Sequence, residues 1–189
     1  MQIASIKTEL RKTVCHEIDS LTSEYIQHSN SGIFSNITSL EEFISARCIM
    51  LFYSIGREPD TLKIADAAFE AGKTVAFPFC FHGGTMEARV ISSLSEMKPA
   101  ILGIPAPTES KVILPPDEID FILVPALTYD KSRYRLGYGG GYYDRYLENN
   151  AAFTAGICRH RLIREEVPKE PHDIAVKCLV TEEKIFAGR

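Results

Sequence analysis

The sequence predicts an α/β fold with a mostly parallel central sheet flanked by helices. Short, strongly apolar runs at Cys48–Ser54, Lys73–Phe79, Asp120–Pro125 and Phe153–Cys158 have the length of buried strands. Between them lie segments with helical spacing or helix start and stop signals. Strands that alternate with helices pair in parallel, and both faces of the sheet become covered. No period of about 20–50 residues repeats, so one domain over residues 1–189 is expected.

Each element follows from local chemistry. Residues 2–27 place Ile3, Ile6, Leu10, Val14, Ile18, Leu21 and Tyr25 at steps of three or four, which predicts one long helix with a single buried stripe. Lys7 and Arg11, four apart, share a face beside it. A short helix is expected from Thr38, where Thr38 and Glu41 can form a capping box. It leads into the strand Cys48–Ser54. Pro59 at a first helical position and Gly72 at a stop frame a helix over about 60–71. Lys73–Phe79 and Thr85–Ile91 read as strands. Prolines 99, 105, 107, 115 and 116 mark a long connection. After Asp120–Pro125 come a polar, glycine-rich stretch, a helix near 140–149, and strands at Phe153–Cys158 and Ile174–Val180.

Composition excludes several classes. With 45% hydrophobic and 24% charged residues the chain reads as a folded globular protein. Its 21 basic and 25 acidic residues leave a net charge of −4, which disfavours binding of nucleic acid through global charge. No apolar run approaches the roughly 20 residues a membrane helix needs. The opening residues carry charges where a signal peptide is apolar, so no membrane partner and a cytoplasmic location are expected. Cys15, Cys48, Cys80, Cys158 and Cys178 are odd in number and widely spaced, against a disulfide framework or a zinc finger. Residues 67–74 approximate a phosphate-binding P-loop. There, however, a helix precedes the glycine and a strand follows it, the reverse of what phosphate binding requires, and Gly72 is better read as a helix stop.

The chemistry concentrates in residues 124–148. Gly137, Gly139, Gly140 and Gly141 are four of the chain's 12 glycines, and six of its eight tyrosines lie between Tyr129 and Tyr146. Lys131, Arg133, Arg135 and Arg145 face a single acid, Asp144, over residues 131–145. The segment is therefore +3 and the rest of the chain −7. It follows a buried strand and precedes a helix, where ligands gather in open α/β sheets. Glycines let several N–H groups approach a phosphate, and Arg135 can grip its oxygens in pairs. Asp144 in such a place suggests Mg²⁺ bridging to phosphate, and the tyrosine faces can stack on a flat ring. A glycine-rich turn with tyrosines packed as ordinary core is the plainer reading. The placement and the local charge favour an anionic, aromatic ligand.

The run Arg135-Leu-Gly-Tyr-Gly-Gly-Gly-Tyr-Tyr-Asp144-Arg-Tyr-Leu147, after Val124-Pro125 and Tyr129-Asp130, resembles the signature of the 5-formyltetrahydrofolate cyclo-ligase family. The resemblance extends to Lys7 and Arg11, to Phe52–Thr61 with Glu58, to Gly72-Lys73 before a strand ending in Pro78, to Gly103-Ile104, and to Pro168 with His172-Asp173. It implies a fold like that of sugar-phosphate isomerases and CoA-transferases. It also implies an enzyme, expected to be monomeric, that uses Mg-ATP to turn 5-formyltetrahydrofolate into 5,10-methenyltetrahydrofolate, releasing ADP and phosphate. On this resemblance Lys7, Arg11 and the loop Arg135, Leu136, Gly137, Tyr138, Gly139, Gly140, Gly141, Tyr142 and Tyr143 would bind ATP. Arg135 and Tyr143 would be catalytic, and Arg135→Ala would cut turnover far more than stability. Tyr53, Glu58, Met86 and Tyr142 would line the folate site, and Asp144 and Asp173 would hold Mg²⁺.

The sequence departs from the family pattern at Ala106, Ala126, Arg133 and near Arg161–Leu162. None of these removes a phosphate or metal ligand, but the folate pocket's details are left open. Two other readings remain at this point. One is an isomerase of phosphorylated metabolites, which needs no ATP. The other is a folate- or nucleotide-binding module that keeps the loop without turnover.

Overall fold

A computed structural model describes residues 3–148 and 150–188. The elements run in chain order as α1 (Ile3–Ser20), α2 (Ser23–Thr38), α3 (Glu41–Ser45), β1 (Cys48–Met50), α4 (Leu62–Glu70), β2 (Thr74–Cys80) and β3 (Met86–Ile91). They continue as β4 (Lys98–Pro99), β5 (Pro105–Ala106), β6 (Ile113–Leu114), β7 (Phe121–Val124), β8 (Thr128–Tyr129), β9 (Arg135–Leu136), α5 (Tyr142–Leu147), β10 (Phe153–Ile157), β11 (Cys178–Val180) and β12 (Ile185–Ala187).

Eight strands form one sheet in the order β12-β11-β10-β7-β1-β2-β3-β6. The five central strands, β11 to β2, are mutually parallel, and the outer ones are antiparallel additions. Period-two alternation along these strands feeds two cores at once. Ile49, Leu51, Val75, Phe77, Phe121 and Leu123 face α2, α3 and α4. Met50, Ala76, Ile122 and Val124 face Tyr129, Leu147, Leu162 and Val176 on the other side.

The expected class of fold is present, with corrections in its elements. The long helix predicted over 2–27 is two helices. Thr22 adopts an extended backbone and its hydroxyl accepts the Tyr25 N–H at 3.2 Å, capping α2. Arg57 closes the end of α1 by donating to Leu21 C=O at 2.6 Å and Ile18 C=O at 3.4 Å. The apolar stripe is also displaced: Ile3 and Ile6 are each 39% exposed, whereas Lys7 is buried. The inward face of α1 runs Lys7, Arg11, Val14, Ile18, so its two cations point into the molecule.

The capping box at Thr38 does not form. Thr38 ends α2 with its hydroxyl on Phe34 C=O, and α3 starts after Leu40 with no side-chain cap. The helix framed by Pro59 begins later, with Thr61 at its N-cap, and Gly72 (φ +72°) ends it as expected. The strands predicted at Cys48–Ser54 and Ile174–Val180 are shortened to Cys48–Met50 and Cys178–Val180, and the helix near 140–149 to Tyr142–Leu147. Arg133, one of the departures from the family pattern, takes φ +71°. That conformation costs an L-residue roughly 1 kcal/mol. Its Nε donates to Val176 C=O at 3.0 Å, which offsets part of the strain.

Gly156 in β10 sits under the ring of Tyr129, which is wholly buried and donates to Val124 C=O at 2.8 Å. A methyl on Gly156 would lie 2.5 Å from Tyr129 Cζ. Gly156→Ala is expected to displace the ring and destabilise the fold by about 1–3 kcal/mol, read as a lower urea midpoint with unchanged m. An unchanged midpoint would refute this contact as a packing constraint.

Candidate active site

The sheet reverses its strand order beside β1, which pairs with β2 on one side and β7 on the other. Connections leaving these two strands diverge, and a crevice opens beyond their C-terminal ends. The segment after β1 supplies Phe52, Tyr53, Ile55 and Glu58, and the one after β7 supplies Pro125 and residues 135–144. The inward face of α1, the end of β2, residues 99–101 and 104–106, and Glu170, His172 and Asp173 complete the walls. The cleft holds about 920 Å³, near the top of the range of roughly 300–1,000 Å³ for small-molecule sites.

One end gathers cations paired with carboxylates. Arg135 lies buried in β9, pairs with Asp144 through Nη2 and donates from Nη1 to Ile174 C=O at 2.7 Å. Lys7 Nζ reaches Asp173 at 2.7 Å and Glu170 at 3.1 Å. The glycine loop is pinned by its carbonyls. Arg11 Nε donates to Gly137 C=O at 2.9 Å, and Arg145 holds both Gly140 C=O, at 2.5 Å, and Gly84 C=O, at 2.9 Å. Gly139 (φ +102°) and Gly141 (φ +64°) adopt backbones closed to most side chains. Among the described residues, no hydrogen bond engages the N–H groups of residues 137–141. Carbonyls tied back and amides left over is the arrangement that suits a phosphate.

The other end is apolar with one acid. Tyr53, Phe79, Ile101, Ile104 and Pro105 form its walls. Glu58 Oε2 accepts the Ile55 N–H at 2.8 Å, and Oε1 accepts the Tyr138 hydroxyl at 2.6 Å. Burial pushes the Glu58 carboxyl above its ordinary range, against the pull of those two donors and of Arg159. The Tyr143 hydroxyl is buried at the cleft with no hydrogen-bond partner among the described residues, and burial drives its pKa far up. It is a donor held in reserve.

The predicted site residues thus converge on one cleft, with two corrections. Met86 is not in the cleft wall. It shares the core face of β3 with Ala88 and packs in the cluster of Leu114 and Val124, because strand alternation turns both inward. Arg135 is not a free clamp either, since its guanidinium is already a strut between Asp144 and Ile174. Sequence reasoning missed Glu170, the carbonyl-pinning role of Arg145, and the apolar wall at residues 100, 101 and 104–106. Only the last had a signal, the proline-rich connection.

The profile of the 5-formyltetrahydrofolate cyclo-ligase family matches residues 3–182. The chain belongs to that family. A 5-formyltetrahydrofolate cyclo-ligase of Mycolicibacterium smegmatis is 30% identical over 158 residues, covering 75% of this chain and 76% of the relative. A solved 5,10-methenyltetrahydrofolate synthetase from Aquifex aeolicus superposes with a TM-score of 0.86 at 30% identity, covering 97% of this chain and 95% of that one. One from Mycoplasma pneumoniae, at 19% identity and a TM-score of 0.75, covers 93% and 98% and shows the shared fold alone.

Membership in the cyclo-ligase family implies magnesium, and the carboxylates present fit it. Among the described residues no three His, Cys, Asp or Glu side chains converge on a point, so there is no all-protein cage. Asp144 and Asp173 both line the cleft and each is bonded through one oxygen, Asp144 to Arg135 and the Ile174 N–H, Asp173 to Lys7 and the Glu170 N–H. Among the described residues the second oxygen of each has no hydrogen bond, that of Asp173 lying 3.9 Å from His172 Nε2. One or two hard carboxylate oxygens are what Mg²⁺ takes from a protein when it also binds phosphate.

Arg135→Ala would strand Asp144 and Ile174 C=O, and is expected to cost about 1–3 kcal/mol of stability as well as activity. Adding Asp144→Ala should return part of that loss; additive midpoints in denaturant would refute the strut. Burial alone would raise the Asp173 carboxyl, but hydrogen bonds from Lys7 and the Glu170 N–H more than offset it and hold it below its ordinary value. Such a group stabilises above its unfolded pKa of about 3.9 and loses that contribution as pH falls through the folded pKa. Asp173→Asn should therefore show a shallower loss of stability on acidification below about pH 4 than the parent. Parallel curves would remove Asp173 from the acid response.

Proposed function

We infer that this chain converts 5-formyltetrahydrofolate to 5,10-methenyltetrahydrofolate with hydrolysis of ATP to ADP and phosphate, and that the cleft is where it does so. The observation that carries this reading is a single cleft in which paired cations and carboxylates meet unbonded loop amides on one side and an apolar, acid-bearing lining on the other, both reached by the same glycine loop. That geometry suits two different substrates held head to head.

The formyl oxygen is a poor leaving group. Transfer of the γ-phosphoryl group to that oxygen releases ADP and makes the formyl carbon electrophilic. N10 then attacks the carbon, the ring closes, and phosphate leaves with the oxygen. Lys7, Arg11, Arg135 and the amides of residues 137–141 would bind and orient the phosphates, and such positioning and charge neutralisation supply most of the rate in phosphoryl transfer. Glu58 would accept hydrogen bonds from the amino-pyrimidine edge of the pterin, with Tyr53 and Tyr142 along the folate. The buried Tyr143 hydroxyl can donate to an oxygen that gains negative charge. Asp144 and Asp173 would hold Mg²⁺, which when bound neutralises phosphate charge. We read the protein as a monomeric cytoplasmic enzyme, with the sheet kinship to sugar-phosphate isomerases and CoA-transferases that its family suggests.

Purified protein mixed with 5-formyltetrahydrofolate and Mg-ATP should develop the long-wavelength ultraviolet absorbance of the conjugated methenyl product. The rise should require both ATP and Mg²⁺. A flat trace with folate bound would overturn turnover in favour of a binding module.

A further inference from the structure

Behind the acidic turn lies a charged side chain that the reaction does not use. Arg159, just after β10, is 1% exposed and is the largest wholly buried side chain among the described residues. A buried cation is costly unless a carboxylate and hydrogen bonds compensate it. Among the described residues, no carboxylate lies within ion-pair distance of Arg159.

Its bonds go to one place. Nη2 donates to Glu58 C=O at 3.3 Å and to Asn30 Oδ1 at 2.8 Å. The same Asn30 oxygen accepts the Asp60 N–H at 3.4 Å. Arg159 and Asn30 therefore hold the peptide groups on both sides of the buried Pro59, whose own nitrogen has no hydrogen to give. The turn is gripped from the core side, while the Glu58 carboxylate lines the cleft on the other.

We propose that Arg159 is the positioning residue for Glu58: it fixes the turn that presents this carboxylate to the cleft and sets the affinity for a ring edge bearing paired N–H donors. The proposal rests on the reading of Glu58 as the folate anchor. Its electrostatic side follows from the neighbours. Tyr138, Tyr143 and Arg159 face Glu58, while Tyr25, Cys158, Glu182 and Arg57 face Arg159. Burial raises the Glu58 carboxyl, and the guanidinium, charged at any ordinary pH, opposes that rise. A neutral side chain at 159 lets it rise further. Binding that needs the carboxylate then fails at a higher pH on the acid side.

The test compares the parent with Arg159→Met, Arg159→Lys, Glu58→Gln and the double variant Glu58→Gln/Arg159→Met, using 5-formyltetrahydrofolate and Mg-ATP across the acid and neutral range. Arg159→Met is expected to raise the folate KM about tenfold, leave the Mg-ATP KM within about twofold, and move the acid limb of kcat/KM for folate upward. Arg159→Lys should return the limb toward its parental position. In the Glu58→Gln background, Arg159→Met should change neither folate KM nor limb. If Glu58→Gln weakens folate while a folded Arg159→Met keeps the parental folate KM and acid limb, the positioning role is overturned and the anchor stands. A full Arg159→Met effect persisting on Glu58→Gln overturns it as well. A parental folate KM in Glu58→Gln overturns the anchor and the positioning role together. Should Arg159→Met not fold, Asn30→Ala takes its place, with a smaller rise in folate KM expected and parental values again overturning the role.

Discussion

The pairing of Arg135 with Asp144 is the interaction on which the rest of the site depends. It joins β9, the first turn of α5 and the segment around Ile174, three pieces that no shared strand or helix connects. Between its two ends the chain must cross from β9 to α5 in a short glycine loop. The pair therefore sets the span of that loop, and Arg11 and Arg145 set its height by holding its carbonyls. Every other cleft residue is arranged around this fixed arc.

Charge in the cleft is organised as a set of half-satisfied groups. Lys7 and Arg135 are each neutralised by the protein's own carboxylates, which limits the cost of holding them out of water. Asp144 and Asp173 keep one oxygen each outside those bonds, and the loop keeps its amides. Glu58 differs: both of its oxygens are taken, one by the Ile55 N–H and the other by the hydroxyl of Tyr138 from the glycine loop. Because Tyr138 belongs to the same loop that Arg11 and Arg145 pin, the loop joins Glu58 to the Arg135–Asp144 pair. A ligand that takes over the Glu58 oxygen also releases a residue of the glycine loop.

How much of this was legible varied with the range of the forces involved. The strands were legible because a run such as Phe121–Val124 is apolar on both faces, and the stop of α4 because Gly72 adopts a positive φ. The α1–α2 break was not. Leu21 and Tyr25 continue the three- and four-residue spacing across it, and Arg57, some 35 residues away, closes the end of α1 while Thr22 caps α2. Lys7 and Arg11 were found as a pair, but which way they faced was decided by carboxylates at 170 and 173 and a carbonyl at 137. Met86 was misplaced because its neighbours in sequence do not reveal which side of β3 the hairpin turns inward.

The sequence by itself determined the α/β class, the glycine loop with its arginine and aspartate, and the family to which the chain belongs, because each is written in contiguous residues and local periodicity. Tertiary structure alone decided that Arg135 is committed to Asp144 and that the amides of 137–141 find no partner among the described residues. It also decided that Tyr138 reaches Glu58 and that Arg159 stands behind the Glu58 turn. These are contacts between segments up to about 130 residues apart. Which of many possible partners a buried charge or hydroxyl finds is settled only when the sheet's strand order brings those segments to one crevice.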